Sequence, residues 1–219
     1  SWRTPAIVLT CGAFVLTLSM GVRQSMGLFL PPMTIEFGWG RSTFAFAMAL
    51  SNLIWGAFQP VFGAVADRHG AGKVMVGSAL LFAAALALMP FSSSGPMLDL
   101  TAGAMMGLGM CGVTFGVILG VIGRAYPPER RSFALGVASA GGSFGQFVML
   151  PFTQQLIGAL GWRGALFALA ATLLVIVPLS AALSERATAP GPQAQQSLVA
   201  ALREAGSHAG FLYLTAGFF

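Results

Sequence analysis

Arg23 stands in Gly21-Val22-Arg23-Gln24-Ser25, within an apolar run long enough to cross a bilayer. A guanidinium keeps its charge at any ordinary pH, and its planar fork matches a carboxylate. An arginine at mid-membrane depth costs about 3 kcal/mol on insertion scales, so it turns to a cavity, a partner or the interface. Two readings follow: a ligand for an anionic substrate, or a snorkelling structural cation. Gln24, Asn52, Gln59 and Gln146 also fall inside apolar runs. Each is either a further substrate contact or a packing hydrogen bond; Gln24, Asn52 and Gln146 are taken with Arg23 as the candidate substrate-binding set.

A second group of charges is compact. Residues 63–73 read GAVADRHGAGK, placing Gly63, Asp67, Arg68, Gly70 and Lys73 in one short stretch between apolar runs. The glycines permit tight backbone geometry. Asp67 can accept hydrogen bonds from a helix N-terminus or pair with Arg68, Lys73 or Arg124. Lys73 opens a helix, where the dipole disfavours a cation, so a lipid phosphate or an acidic partner compensates it.

Enzyme chemistry in these spans would need paired aspartates, a Ser/His pair or metal ligands. His69 and His208 are the two histidines, and both fall in loops. Cys11 and Cys111 lie in apolar runs without metal-binding or redox spacing. No catalytic residue, metal or cofactor is therefore assigned. Asp99 stands at the start of an apolar run and the other acids in loops, so none lies at a span's midplane. Proton coupling must then use groups elsewhere or the substrate's own carboxylate, and anion exchange is equally open.

The elements that position these residues follow from composition. Of 219 residues, 56% are hydrophobic and 8% charged, against roughly 25% charged in soluble domains. The net charge of +5 does not indicate nucleic acid, because the basic residues fall in short turns. A bilayer-crossing helix needs about 20 apolar residues, and six runs qualify, near 6–30, 42–65, 74–91, 97–126, 132–154 and 164–183. Such runs must be helices, since lipid offers unpaired backbone groups no partner. The expected fold is an all-α six-helix transmembrane bundle over 1–183, a cytoplasmic loop over 184–209, and the start of a seventh span over 210–219 that is cut short. Within the loop, Leu198, Ala201, Leu202 and Ala205 share one face of a short amphipathic helix.

Lysine and arginine set the orientation. With the N-terminus cytoplasmic, the inner side holds Arg3, Arg68, Lys73, Arg124, Arg130, Arg131, Arg186 and Arg203; the outer side holds Arg41 and Arg163. Glycines crowd the fourth and fifth spans, with Gly112, Gly116 and Gly120 four apart and Gly141, Gly142 and Gly145 close behind. Small residues at that spacing let backbones approach, so spans 4 and 5 are expected in the interior and spans 3 and 6 against lipid. Pro31-Pro32 before Glu36 and Arg41 is echoed by Pro127-Pro128 before Glu129 and Arg131, as inverted three-helix repeats require.

The pattern Gly-x-x-x-Asp-Arg-x-Gly-x-x-Lys between spans 2 and 3 resembles the signature loop of the major facilitator superfamily. The stretches GVRQSMGLFLPPMTIEFGWGRS, YPPERRSFALG and GWRGALF look like oxalate/formate antiporters and monocarboxylate porters of that family. The resemblance implies the N-terminal half of a twelve-helix transporter, completed by a C-terminal six-helix half and embedded in a lipid bilayer, the bacterial inner membrane. It implies alternating access for a small organic anion, a monocarboxylate, by proton symport or anion exchange. It also implies a gating latch at Gly63, Asp67, Arg68, Gly70 and Lys73, with Arg124 in the same charge cluster. The alternatives are a multidrug/proton antiporter of the same superfamily and a six-helix protein that acts as a dimer.

Overall fold

Every described segment longer than a turn is helical, as a chain surrounded by hydrocarbon requires. The computed structural model describes residues 3–184 together with Ser207 and Gly210, both helical. The chain divides into two units, Ser1–Ala187 and Thr188–Phe219. The expected loop helix at 198–205 lies outside the described residues, as does all of the expected seventh span except Gly210.

Helix α1 (Pro5–Ser25) begins at Thr4, whose hydroxyl accepts from the Ile7 amide at 3.4 Å, with Pro5 at the first helical position. Both are favoured helix starts. A 3₁₀ turn (Met26–Phe29) carries it into α2 (Leu30–Phe37), which Gly38 ends in the left-handed region at φ 67°. Span 2 is α3 (Arg41–His69) and span 3 is α4 (Ala71–Leu88). Gly70 alone separates them, at φ 94° and ψ 131°. The turn is therefore one residue, and Gly63 lies inside α3, with open space where a side chain would stand. The expectation that Gly63 permits a tight turn is corrected: Gly70 does that.

Span 4 is interrupted. It runs through α5 (Gly95–Leu98), a π-helical stretch (Asp99–Met105) and α6 (Met106–Cys111), leaves the helical path at 112–114, and resumes as α7 (Phe115–Ala125). Spans 5 and 6 lie in α8 (Pro128–Leu174) and α9 (Ile176–Leu183). Gly161 folds α8 in two with φ 70° and ψ 168°, which yields the six membrane-length segments the sequence predicts.

Packing follows the small residues. The backbone of α1 lies directly on the first part of α8: a Cβ at Gly145 would meet the Thr17 backbone, and one at Gly141 the Ala13 carbonyl at 3.0 Å. Hydroxyls of α1 lock the contact, Thr17 Oγ1 donating to Gly141 O at 2.8 Å and Ser25 Oγ to Met149 O at 3.2 Å. Such bonds between membrane helices contribute about 0.6 kcal/mol each. On the other side, Gly103 and Gly107 admit Leu50 and Ser51 of α3, while Gly109 and Gly112 admit Phe82 and Ser78 of α4.

Span 3, expected against lipid, has one face in the bundle and another outside it, where Leu80, Leu88 and Phe91 are exposed. Half of the apolar window of span 3 is buried, because Met75, Ala79, Phe82 and Leu86 pack toward α6, α8 and α9. Span 4 is the most buried, at 67%, and span 2 the least, at 17%, with Phe46, Leu53, Phe58 and Val61 exposed. Span 5 likewise exposes Phe133, Phe144, Phe147 and Phe152.

Candidate functional site

Span 1, counted from Pro5 to Phe37, carries Arg23 near its middle, roughly 27 Å from one end and 21 Å from the other at 1.5 Å per residue. The guanidinium is half-buried. Its Nη2 donates to Asn52 Oδ1 at 2.8 Å, and its Cζ lies 4.9 Å from the centre of the Trp55 ring. Asn52 and Trp55 are three residues apart on α3, hence on one face. No carboxylate pairs with Arg23 among the described residues. Neutral partners hold its plane and leave its charge uncompensated.

The polar contacts continue from Trp55 into span 4. Trp55 Nε1 donates to Thr114 Oγ1 at 3.0 Å and Gln59 Nε2 does so at 3.5 Å, while Thr114 Oγ1 donates to Met110 O at 2.9 Å. From α1, Ser19 Oγ donates to Val113 O at 2.7 Å in a fully buried contact. At the interruption, span 1 thus supplies a donor to Val113 O and span 2 supplies donors to Thr114 Oγ1, while Val113 N stays bonded to Met110 O at 3.2 Å. In membranes, backbone outside a regular helix persists where neighbouring helices supply such partners.

Of the sequence-predicted substrate contacts, the structure joins Arg23 and Asn52. Gln24 is exposed, Gln146 is half-buried beside Gly145, and neither forms a side-chain hydrogen bond with the described residues. Trp55, Thr114 and Ser19 were not anticipated. Trp55 stands one helical turn from Asn52, which is the signal that could have found it.

At the far end of the bundle, Asp67 and Arg124 form an ion pair of 3.1 Å between α3 and α7. Asp67 sits in the last turn of α3, not at a helix N-terminus. A carboxylate there opposes the helix dipole, and Arg124 offsets it. Arg68 and Lys73 are exposed and form no ion pair among the described residues. A cleft of about 300 Å³ opens between α3 and α4, walled by Val61, Val65, Val74 and Leu81 with Lys73 among its lining. Its walls are apolar and it includes none of the Arg23 cluster.

The opposite end carries a cluster that sequence reasoning passed over. Glu36 accepts Trp162 Nε1 at 2.6 Å and Arg163 Nη2 at 2.5 Å on its two oxygens. Phe37 stacks on Trp39 at 4.5 Å and meets Trp162 edge-on at 5.8 Å. This clasp ties α2 to the fold at Gly161. The charged and aromatic residues at both hairpins were its sequence signal.

Six apolar helical segments, a fourth span interrupted at 112–114 and a half-buried arginine with no acid beside it among the described residues make up the arrangement. The chain belongs to the Major Facilitator Superfamily, whose sequence profile matches residues 9–219. It is 32% identical to monocarboxylate transporter 11 of Mus musculus over 85% of this chain and 42% of that protein. It is 30% identical to probable anion transporter 2, chloroplastic, of Oryza sativa subsp. japonica over 77% of this chain and 31% of that one. A crystal structure of a bacterial homolog of the human lysosomal transporter Spinster, inward-facing and unoccupied, superposes with a TM-score of 0.71 at 18% identity. The superposition covers 99% of this chain and 52% of that one. The chain thus spans about half or less of the length of these relatives.

Proposed function

We propose that this chain forms part of a secondary active transporter that carries a small organic anion, a monocarboxylate, by alternating access. Arg23 carries the reading: a half-buried guanidinium held by Asn52 and Trp55, with no acid opposite it among the described residues. A structural arginine at that depth would be ion-paired, and a snorkelling one would lead its charge to an interface. The printed names of the relatives, a monocarboxylate and an anion transporter, agree with an anionic cargo.

In this reading residues 1–183 are the N-terminal bundle, 184–209 the cytoplasmic linker and 210–219 the start of the next span, with a second six-helix half completing the cavity. The N-terminus and the Asp67 end face the cytoplasm of a bacterial cell, by the distribution of lysine and arginine. Coupling is to protons or to a counter-transported anion. The test is uptake of labelled acetate, lactate and pyruvate into proteoliposomes containing the full-length protein. Arg23→Gln brings uptake to background, and Arg23→Lys, which keeps charge but loses the fork, gives an intermediate rate. Undiminished uptake by Arg23→Gln overturns the assignment.

A further inference from the structure

Trp55 touches both the candidate anion site and the interruption of span 4. Its ring covers one face of the Arg23 guanidinium at 4.9 Å, and its Nε1–H is bonded to Thr114 Oγ1 at 3.0 Å. Thr114 closes the non-helical stretch with extended backbone, φ −117° and ψ −169°. Its hydroxyl receives Trp55 and Gln59 and gives its own proton to Met110 O. Ser19, four residues before Arg23 on α1, grips the same stretch at Val113 O. The cation and the break are therefore held by the same two helices, and the indole spans the gap between them.

We infer that Trp55 is a positioning residue of the anion site and the link through which occupation of Arg23 reaches the break in span 4. The inference rests on reading Arg23 as the anion-binding group. With one guanidinium face covered and Nη2 bonded to Asn52, an anion approaches along the remaining edge, in the guanidinium plane. A carboxylate accepts two parallel bonds in that plane. Its negative charge reduces the net positive charge facing the indole, and with it the attraction that holds ring and cation together. The indole is then freer to move, and its bond to Thr114 moves with it. Because side chains from spans 1 and 2 hold Val113 O and Thr114 Oγ1, an exchange of those bonds accompanies any change in the mutual angle of α6 and α7.

The experiment uses the full-length transporter, purified in nanodiscs for binding and in proteoliposomes for uptake, with acetate, lactate and pyruvate as probes. Trp55→Phe keeps an aromatic face and deletes the N–H; Trp55→Leu deletes both; Thr114→Val deletes the acceptor. Trp55→Leu leaves the guanidinium to be ordered by the anion itself and raises Kd for the bound probe roughly 2- to 12-fold, the cost of immobilising one rotamer-rich side chain. Trp55→Phe and Thr114→Val leave Kd within about 3-fold and lower the maximal uptake rate. With 5-fluorotryptophan incorporated, the fluorine resonance missing from Trp55→Phe belongs to Trp55. It shifts on addition of the probe in the natural sequence and stays fixed in Arg23→Gln.

The outcomes separate the two readings. Tight binding by Arg23→Gln overturns the anion site, and the failure of all three probes to bind the natural sequence overturns both readings together. Lost binding in Arg23→Gln with full maximal rates in Trp55→Phe and Thr114→Val overturns the link and leaves the anion site standing. Unchanged Kd in Trp55→Leu overturns the positioning role; should that variant not fold, a Trp55 resonance that ignores the probe does so instead.

Discussion

Asp67 Oδ1 and Arg124 Nη1 meet at 3.1 Å, joining the last turn of α3 to the last turn of α7 across 57 positions of sequence. The side chains are 65% and 41% exposed, so water and salt screen the pair and it contributes about 0.2–1 kcal/mol. That is too little to matter for folding and enough to bias two conformers that differ by a few kcal/mol. Asp67→Asn shifts the ratio of the two access states by about 1.4- to 5-fold. Labelling rates of a reporter cysteine placed by Pro127→Cys measure the ratio. Equal rates with and without Asp67→Asn remove the latch.

Gly70 and Gly63 separate backbone need from motif membership. Gly70 has φ 94°, where a side chain costs about 1–3 kcal/mol. Gly63 is helical, with nothing within 4 Å of a Cβ. Gly70→Ala lowers the unfolding temperature in detergent, and Gly63→Ala leaves it unchanged or raises it slightly. The reverse order contradicts the one-residue turn.

Gly145 and Gly136 test the contact of spans 1 and 5 in the same way. A methyl group at Gly145 collides with the Thr17 backbone, whereas the space beside Gly136 is open. Gly145→Ala destabilises by about 1–3 kcal/mol, as overpacking does, and Gly136→Ala is near neutral. Thermal unfolding of the two variants side by side is the measurement.

Glu36 holds the opposite clasp through two donors, Trp162 and Arg163. Glu36→Gln weakens the half-exposed ion pair, worth about 1 kcal/mol or less, and keeps an acceptor for the indole. Glu36→Ala leaves the Trp162 N–H without its partner in a side chain that is 9% exposed, adding about 1–3 kcal/mol. Alanine is therefore the more damaging change by unfolding temperature; equal effects show that the indole bond does not count.

The class of fold was legible because hydrocarbon leaves so few options: six long apolar runs admit only helices. The glycines of span 5 were legible as a packing stripe, and the structure seats Gly141 and Gly145 on α1. The break in span 4 was not. Gly112 and Gly116 fit a regular small-residue spacing, and nothing apolar about Val113 or Thr114 marks the place where a helix stops. What holds it open, Ser19, Trp55 and Gln59, comes from other spans. Arg23 stood out by charge alone, yet its partner Asn52 was no more conspicuous than Gln24 or Gln146. Which amide reached it depended on helix rotation, a tertiary property. Span 3 was expected against lipid for want of glycines; Ala79, Ala83 and Ala85 are small residues on the half of it that packs inward.

Bare backbone contact between α1 and α8 has a mechanical result. Gly145 sets its backbone on that of Thr17, and Gly21 fits against Met149 and the Gly145 carbonyl, so the two rods share one close-fitting seam. Arg23 is mounted on one rod, and the phenylalanines bared along span 5 on the other.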